Sequence, residues 1–133
     1  MRVSSKKEIY LGIVFVLILF ILIFYHPSPI NLISSEQFDK IINSNDVFLI
    51  NTHTPYIGKI NGTDLIAEDW ENMEFYKDQL PKDKNTPIAV YCRSGHMSSI
   101  AAEQLKKMGY KKIYDLKGGM NAWQESGKEI IQK

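Results

Sequence analysis

From Ile9 to Tyr25 the chain reads IYLGIVFVLILFILIFY, with no charged position. As a helix, such a run has no polar face to turn to water. Its 17 residues span about 25 Å as a helix, at the short end of what crosses a bilayer. Tyr10 and Tyr25 mark its two ends, where amphipathic rings favour a membrane interface. A fully buried core helix is the alternative, but a domain of about 100 residues has few ways to enclose one on all sides.

After His26 the pattern breaks into short apolar blocks separated by polar turns. Pro27-Ser28-Pro29 stiffens the exit from the apolar run, and Ile30 to Ile33 read as a short tether. Ser34 or Ser35 can cap a helix running to about Asn43, with Phe38, Ile41 and Ile42 on one face. Asp46 to Ile50 reads as a buried strand, and Asn51 to Asp64 as a loop rich in turn formers. Leu65-Ile66 reads as a brief strand. Asp69 to Leu80 reads as a helix with Trp70, Met73, Tyr76 and Leu80 inward, stopped by Pro81.

Ile88 to Tyr91 is the next strand, and Ser98 to Met108 the next helix. Gly109 follows that helix as its C′ residue, and lysines crowd its last turn. Lys112 to Leu116 reads as a strand, Lys117-Gly118-Gly119 as a turn, and Met120 to Ser126 as a last short helix. Strands alternating with helices predict right-handed crossovers and a mostly parallel sheet covered on both faces.

Charge adds a direction to the apolar run. Arg2, Lys6 and Lys7 precede it, so the positive-inside rule keeps the N-terminus in the cytoplasm and sends the domain outside. A cleaved signal peptide competes with this reading. The run is longer than a usual signal core, and His26-Pro27-Ser28-Pro29 is no small-x-small site. The chain therefore divides into a basic tail (1–8), a signal anchor (9–25), a linker (26–33) and one α/β domain (34–133). The whole chain carries 16 basic and 15 acidic residues. Setting aside Arg2, Lys6, Lys7 and Glu8 leaves the rest at a net −1, which is no footprint for nucleic acid.

The one cysteine excludes an internal disulfide framework. Cys92 falls in YCRSGHMSS, between a strand end and a helix start. In parallel α/β sheets, ligands bind beyond the carboxyl ends of the strands. Backbone N–H groups turning into a helix N-terminus form an anion nest that favours a thiolate, a bound oxyanion or a persulfide. Gly95 supplies the freedom that the turn needs. Cys92 is therefore expected to be a partly exposed nucleophile rather than a small core residue.

These stretches together resemble a single-domain rhodanese, a rhodanese-like sulfurtransferase. The matching segments are Ile88 to Gly95 (IAVYCRSG), Ser98 to Tyr110, and Leu116 to Trp123 (LKGGMNAW); Phe48 to Asn51 and Ile60 to Asp64 match more weakly. The likeness covers about Ile33 to Ile130. It implies a five-stranded, mostly parallel sheet with helices on both sides. It also implies a six-residue loop, Cys92 to Met97, with Cys92 carrying a persulfide. The loop residues Arg93, Ser94, Gly95, His96 and Met97, together with Ser98, would hold the sulfur. A small sulfane-sulfur donor and a thiol or cyanide acceptor are the implied partners, and no cofactor is implied. The sequence departs from the family pattern at Met97, where arginine is common. It departs again at Asn51 and His53, where aspartate and arginine are common and which are expected to support the pocket. Lacking the arginine at 97, the loop keeps Arg93 as its one cation, so weak use of thiosulfate is expected.

Three other readings compete. A cysteine phosphatase needs C-x(5)-R, and Ser98 stands where the clamp arginine belongs. A non-catalytic protein-binding or persulfide-sensing module fits the fold but has less need of the thiol. A metal held by Cys92, His96 and His53 lacks ligand spacing. Trp70 and Trp123 read as core residues, and Lys106, Lys107, Lys111 and Lys112 as a solvated helix end.

Overall fold

The computed structural model describes residues 5–25, 29–44 and 46–132. Arg2 and the first three residues of the linker (His26, Pro27 and Ser28) lie outside those residues. Helix α1 (Lys6–Phe24) is capped by Ser5, whose side chain accepts from the Glu8 N–H. None of α1 is buried; by length and composition it can cross a membrane.

Ile30–Ile33 form strand β1 rather than a tether. β1 pairs in parallel with β5 (Ile113–Leu116), from Ile30 opposite Ile113 to Ile33 opposite Leu116. The Asn31 side chain donates to the Ile113 carbonyl at 3.1 Å. Ile30 and Ile33 also pack on opposite cores, the alternation that a strand imposes and a tether does not. The domain's sheet thus begins at Ile30.

Helix α2 (Ser35–Ile42) starts at a capping box in which Ser34 and Gln37 satisfy each other's backbone N–H groups. Strand β2 (Phe48–Asn51) starts two residues later than the apolar run suggests. Asp46, with φ of 76°, still belongs to the preceding turn. Strand β3 (Leu65–Ile66) follows the long loop. Strand β4 (Ile88–Tyr91), helix α3 (His96–Lys107), β5 and helix α4 (Gly119–Glu125) complete the fold. The five strands are parallel, in the order β1-β5-β4-β2-β3.

The stretch from Asp69 to Leu80 is not a helix but a string of turns around one 3₁₀ segment, Met73–Tyr76. Side chains replace the missing helical bonds. Asp69 N–H donates to the Tyr76 hydroxyl at 2.9 Å. Gln104 of α3 accepts from Met73 N–H at 2.7 Å and donates to the Trp70 carbonyl at 2.9 Å. Met73, Tyr76 and Leu80 are nonetheless buried, and Trp70 packs at the core's edge.

Two cores flank the sheet. On one face Ile50, Val90 and Ile113 meet Ala101, Ala102 and Leu105 of α3 together with Met73. On the other, Leu49, Ala89 and Leu116 meet Phe38 of α2 and Met120 and Trp123 of α4. Phe38 meets both Tyr91 and Trp123 edge-on, with ring centroids 6.4 and 6.2 Å apart. The covered faces fix the height of β4, and with it the position of the residue just beyond its end.

Candidate active site

Strand β4 ends at Tyr91, and Cys92 is the next residue. Arg93 and Ser94 carry the chain outward, and Gly95, at φ 107°, turns it into α3. Few side chains tolerate that backbone conformation. α3 therefore begins at His96, two residues earlier than its sequence suggests. His96 and Met97 belong at once to the loop and to the first turn of the helix.

The turn folds back on the sulfur. Gly95 N–H donates to Cys92 Sγ at 3.0 Å. The Cys92 thiol donates to Ser98 Oγ at 3.5 Å, and Ser98 in turn donates to the Gly95 carbonyl at 3.2 Å. Ser94 lines the cleft without bonding the sulfur. Cys92 is only 1% exposed, which corrects the expectation of a partly exposed thiol. The loop and the helix start cover its flanks, and only the cleft gives access.

That cleft is about 270 Å³ in volume and is lined by His53, Cys92, Arg93, Ser94, His96 and Met97. His96 also meets Trp70 edge-on at 6.1 Å. His53 is buried. Loss of water around its ring, and then the Arg93 guanidinium, hold it below the ordinary histidine range. At neutral pH the cleft thus offers a neutral imidazole in the same lining as the sulfur, and one cation, Arg93.

Asn51 sits beneath this wall, fully buried. Its amide donates to the Gly58 carbonyl at 2.9 Å, and its carbonyl accepts from His53 N–H at 2.9 Å. It therefore holds the loop that presents His53 without reaching the sulfur itself. A larger depression of about 520 Å³ lies at the opposite end of the sheet, lined by Asp46, Asp64, Asp83 and neighbours. Its lining offers carboxylates and the Thr86 hydroxyl but no thiol, so thiol chemistry belongs to the smaller cleft.

The second glycine of the Leu116-Lys117-Gly118-Gly119 turn completes the site. Met120 N–H donates to the Cys92 carbonyl at 2.8 Å and Asn121 N–H to the Arg93 carbonyl at 3.0 Å. A Cβ on Gly119 would stand 2.4 Å from the Cys92 carbonyl oxygen. The start of α4 is thus pressed against the back of the loop.

Sequence reasoning missed Asp115. It lies in the apolar strand Ile113-Tyr114-Asp115-Leu116 and is 2% exposed. Burial pushes its carboxyl up to about 6, against hydrogen bonding from Ser98 and the Leu116 N–H. The signal was present: a lone carboxylate in the last residues of a buried strand, at the end of the sheet where ligands bind.

A parallel sheet with a cysteine loop at its carboxyl edge defines a class of α/β domains that do chemistry on one thiol. This chain belongs to the rhodanese-like domain family, which it matches over residues 34–126. It is 30% identical over 104 residues to a sulfurtransferase from Allochromatium vinosum, covering 77% of this chain and 95% of that protein. It is 25% identical to the thiosulfate sulfurtransferase GlpE of Pseudoalteromonas translucida, over 76% of this chain and 95% of that protein. A tRNA uridine(34) hydroxylase from Pelagibacter ubique is 31% identical over 68% of this chain, but the match spans only 31% of that enzyme. Among solved structures, a rhodanese-related protein from Thermoplasma volcanium superposes with a TM-score of 0.64 at 22% identity, covering 77% of this chain and 99% of that one.

Proposed function

We propose that the protein is a membrane-anchored sulfurtransferase that carries sulfane sulfur as a Cys92 persulfide. The observation that carries this reading is the cradle itself, with Gly95 N–H at 3.0 Å from Sγ at the floor of a cleft just large enough for a small donor. In the first step the Cys92 thiolate attacks the outer sulfur of a persulfide donor R–S–S–H. A Cys92 S–S bond forms, the donor's S–S bond breaks, and R–S⁻ leaves with the electron pair. In the second step an acceptor thiolate attacks the outer sulfur of Cys92–S–S–H. The acceptor becomes a persulfide and Cys92 leaves as a thiolate. Dividing one transfer into two is what covalent catalysis provides. The curated relatives named as sulfurtransferases along nearly their whole length support the same reading.

The cleft favours uncharged or thiol-linked donors. Met97 lines it where a second cation would help to hold a dianion, and His53 is held neutral. Anchoring rests on α1, which holds an 18-residue window of mean hydropathy 2.5 and has no buried position. Arg2, Lys6 and Lys7, which precede the apolar run Ile9–Tyr25, favour a domain outside the cytoplasm by the positive-inside rule.

Intact mass of the full-length chain after incubation with a polysulfide is the test. One added sulfur is expected, lost on incubation with an acceptor thiol and absent in Cys92→Ser. A chain that stays unmodified would favour a binding module instead.

A further inference from the structure

Asp115 does no work in the two transfer steps above, yet it stands directly behind them. Its register partners are Val90 on β4 and Leu32 on β1, both apolar. Strand alternation puts it on the same face as Ile113, the face that α3 covers. α3 turns Ser98, Ala101, Ala102 and Leu105 toward the sheet and leaves Glu103 and Lys107 exposed. The polar groups acting on the carboxyl are the Ser98 hydroxyl from α3 and the Leu116 N–H from its own strand. Asp115 Oδ1 is buried without a hydrogen-bond partner. Buried carboxyl oxygens are nearly always paired, so an orphan beside a reactive site calls for an explanation.

Ser98 supplies it. The hydroxyl has one proton, which it gives to the Gly95 carbonyl at 3.2 Å while its oxygen accepts from the Cys92 thiol at 3.5 Å; it is also the side chain whose hydrogen bonding acts on the Asp115 carboxyl from α3. An ionised Asp115 draws that proton toward itself, leaving the Ser98 lone pair to face an S–H. A protonated Asp115 donates to Ser98 Oγ and frees the Ser98 proton to turn to the sulfur.

We propose that Asp115 is a positioning residue for sulfur transfer, setting through Ser98 whether the hydroxyl beside Cys92 donates to the sulfur or accepts from it. The same switch would act on the thiolate and on the terminal sulfur of a persulfide. The carboxyl's rise to about 6 puts the change within the physiological range. The inference rests on Cys92 being the sulfur carrier. Its test reads the bare thiol with no donor present, so it fails or stands separately from the sulfur-loading experiment.

The rate of Cys92 alkylation by iodoacetamide is measured against pH on the full-length chain in detergent. The wild-type rate is expected to rise, flatten near pH 6 as Asp115 ionises, and rise again. Asp115→Asn should give a single rise. Above the flattening it should react about ten-fold faster, because the amide keeps donating to Ser98 and one charge-assisted bond to sulfur is retained. In a Ser98→Ala background the Asn substitution should bring no such gain. Should Asp115→Asn not fold, Ser98→Ala against wild type decides, since it must lose the flattening. A single rise in the wild type overturns the proposal. So does a flattening that survives Asp115→Asn but vanishes in His53→Gln, or an Asp115→Asn variant that melts lower with an unchanged profile.

Discussion

Two side chains at the site carry opposite consequences for pH. Asp115, raised to about 6 from 3.8, is favoured in its protonated form by folding. Its contribution is fully present below the unfolded value and is lost as pH rises through about 6. The loss amounts to about 3 kcal/mol. Asp115→Asn should therefore stabilise the chain by up to that amount at neutral pH and by nothing in strong acid. Urea unfolding of both chains across pH checks this, and a pH-independent difference would contradict it. His53, depressed by burial and Arg93, has the reverse sign: its contribution is present above the ordinary histidine value and fades as pH falls. At the mouth of the cleft, Met97→Arg should raise kcat/KM for thiosulfate roughly ten- to a hundred-fold by supplying charge-assisted hydrogen bonds to a dianion. A neutral polysulfide should be little affected, so the ratio of the two donors is the quantity to measure. Equal gains for both would mean that position 97 does not select charge.

The joint between the β5–α4 turn and the Cys92 loop sets the precision of the site at the level of elements. Gly119, at φ 57°, has the Cys92 carbonyl oxygen and Arg93 backbone where a side chain would go. Gly119→Ala should push α4 off the loop, breaking the Met120 and Asn121 hydrogen bonds to it. Sulfur loading of Cys92 should slow by more than ten-fold, the cost of about two backbone bonds at roughly 1 kcal/mol each. Mass spectrometry over time reads that directly, and loading at the wild-type rate would show the joint to be slack. The turn itself was legible in the sequence as Lys117-Gly118-Gly119 after a strand, whereas the pressing of Gly119 against the Cys92 loop came only from the structure. So were the strand-to-helix transition at Cys92 and the brief strand Leu65-Ile66. β1 was less legible: four residues after a proline pair read as a tether until β5 provides the partner that makes them a strand. The segment from Asp69 to Leu80 carries a helix-like apolar spacing. Gln104, far along the chain, takes over its backbone groups and leaves only a 3₁₀ turn. Asp115 was missed because strand alternation alone does not reveal that a polar position faces a covering helix.

For the whole molecule, the apolar helix α1 and the parallel sheet each bear on where the site can work. Under the membrane-anchored reading, protease added to intact cells should remove the domain and leave α1 behind; complete protection would reverse the orientation. Which way the site faces follows from the sheet. All five strands run parallel, and the chain passes from α1 into the start of β1. Every strand start therefore lies at one pole of the domain, the pole where the chain enters β1, and Cys92, just past the end of β4, lies at the other. Four residues of strand alone separate the two poles by about 13 Å. Cys92 thus opens at the pole of the domain opposite the one where the chain enters the sheet. A small donor or acceptor therefore has to come in from that pole, across the sheet from where the chain enters it.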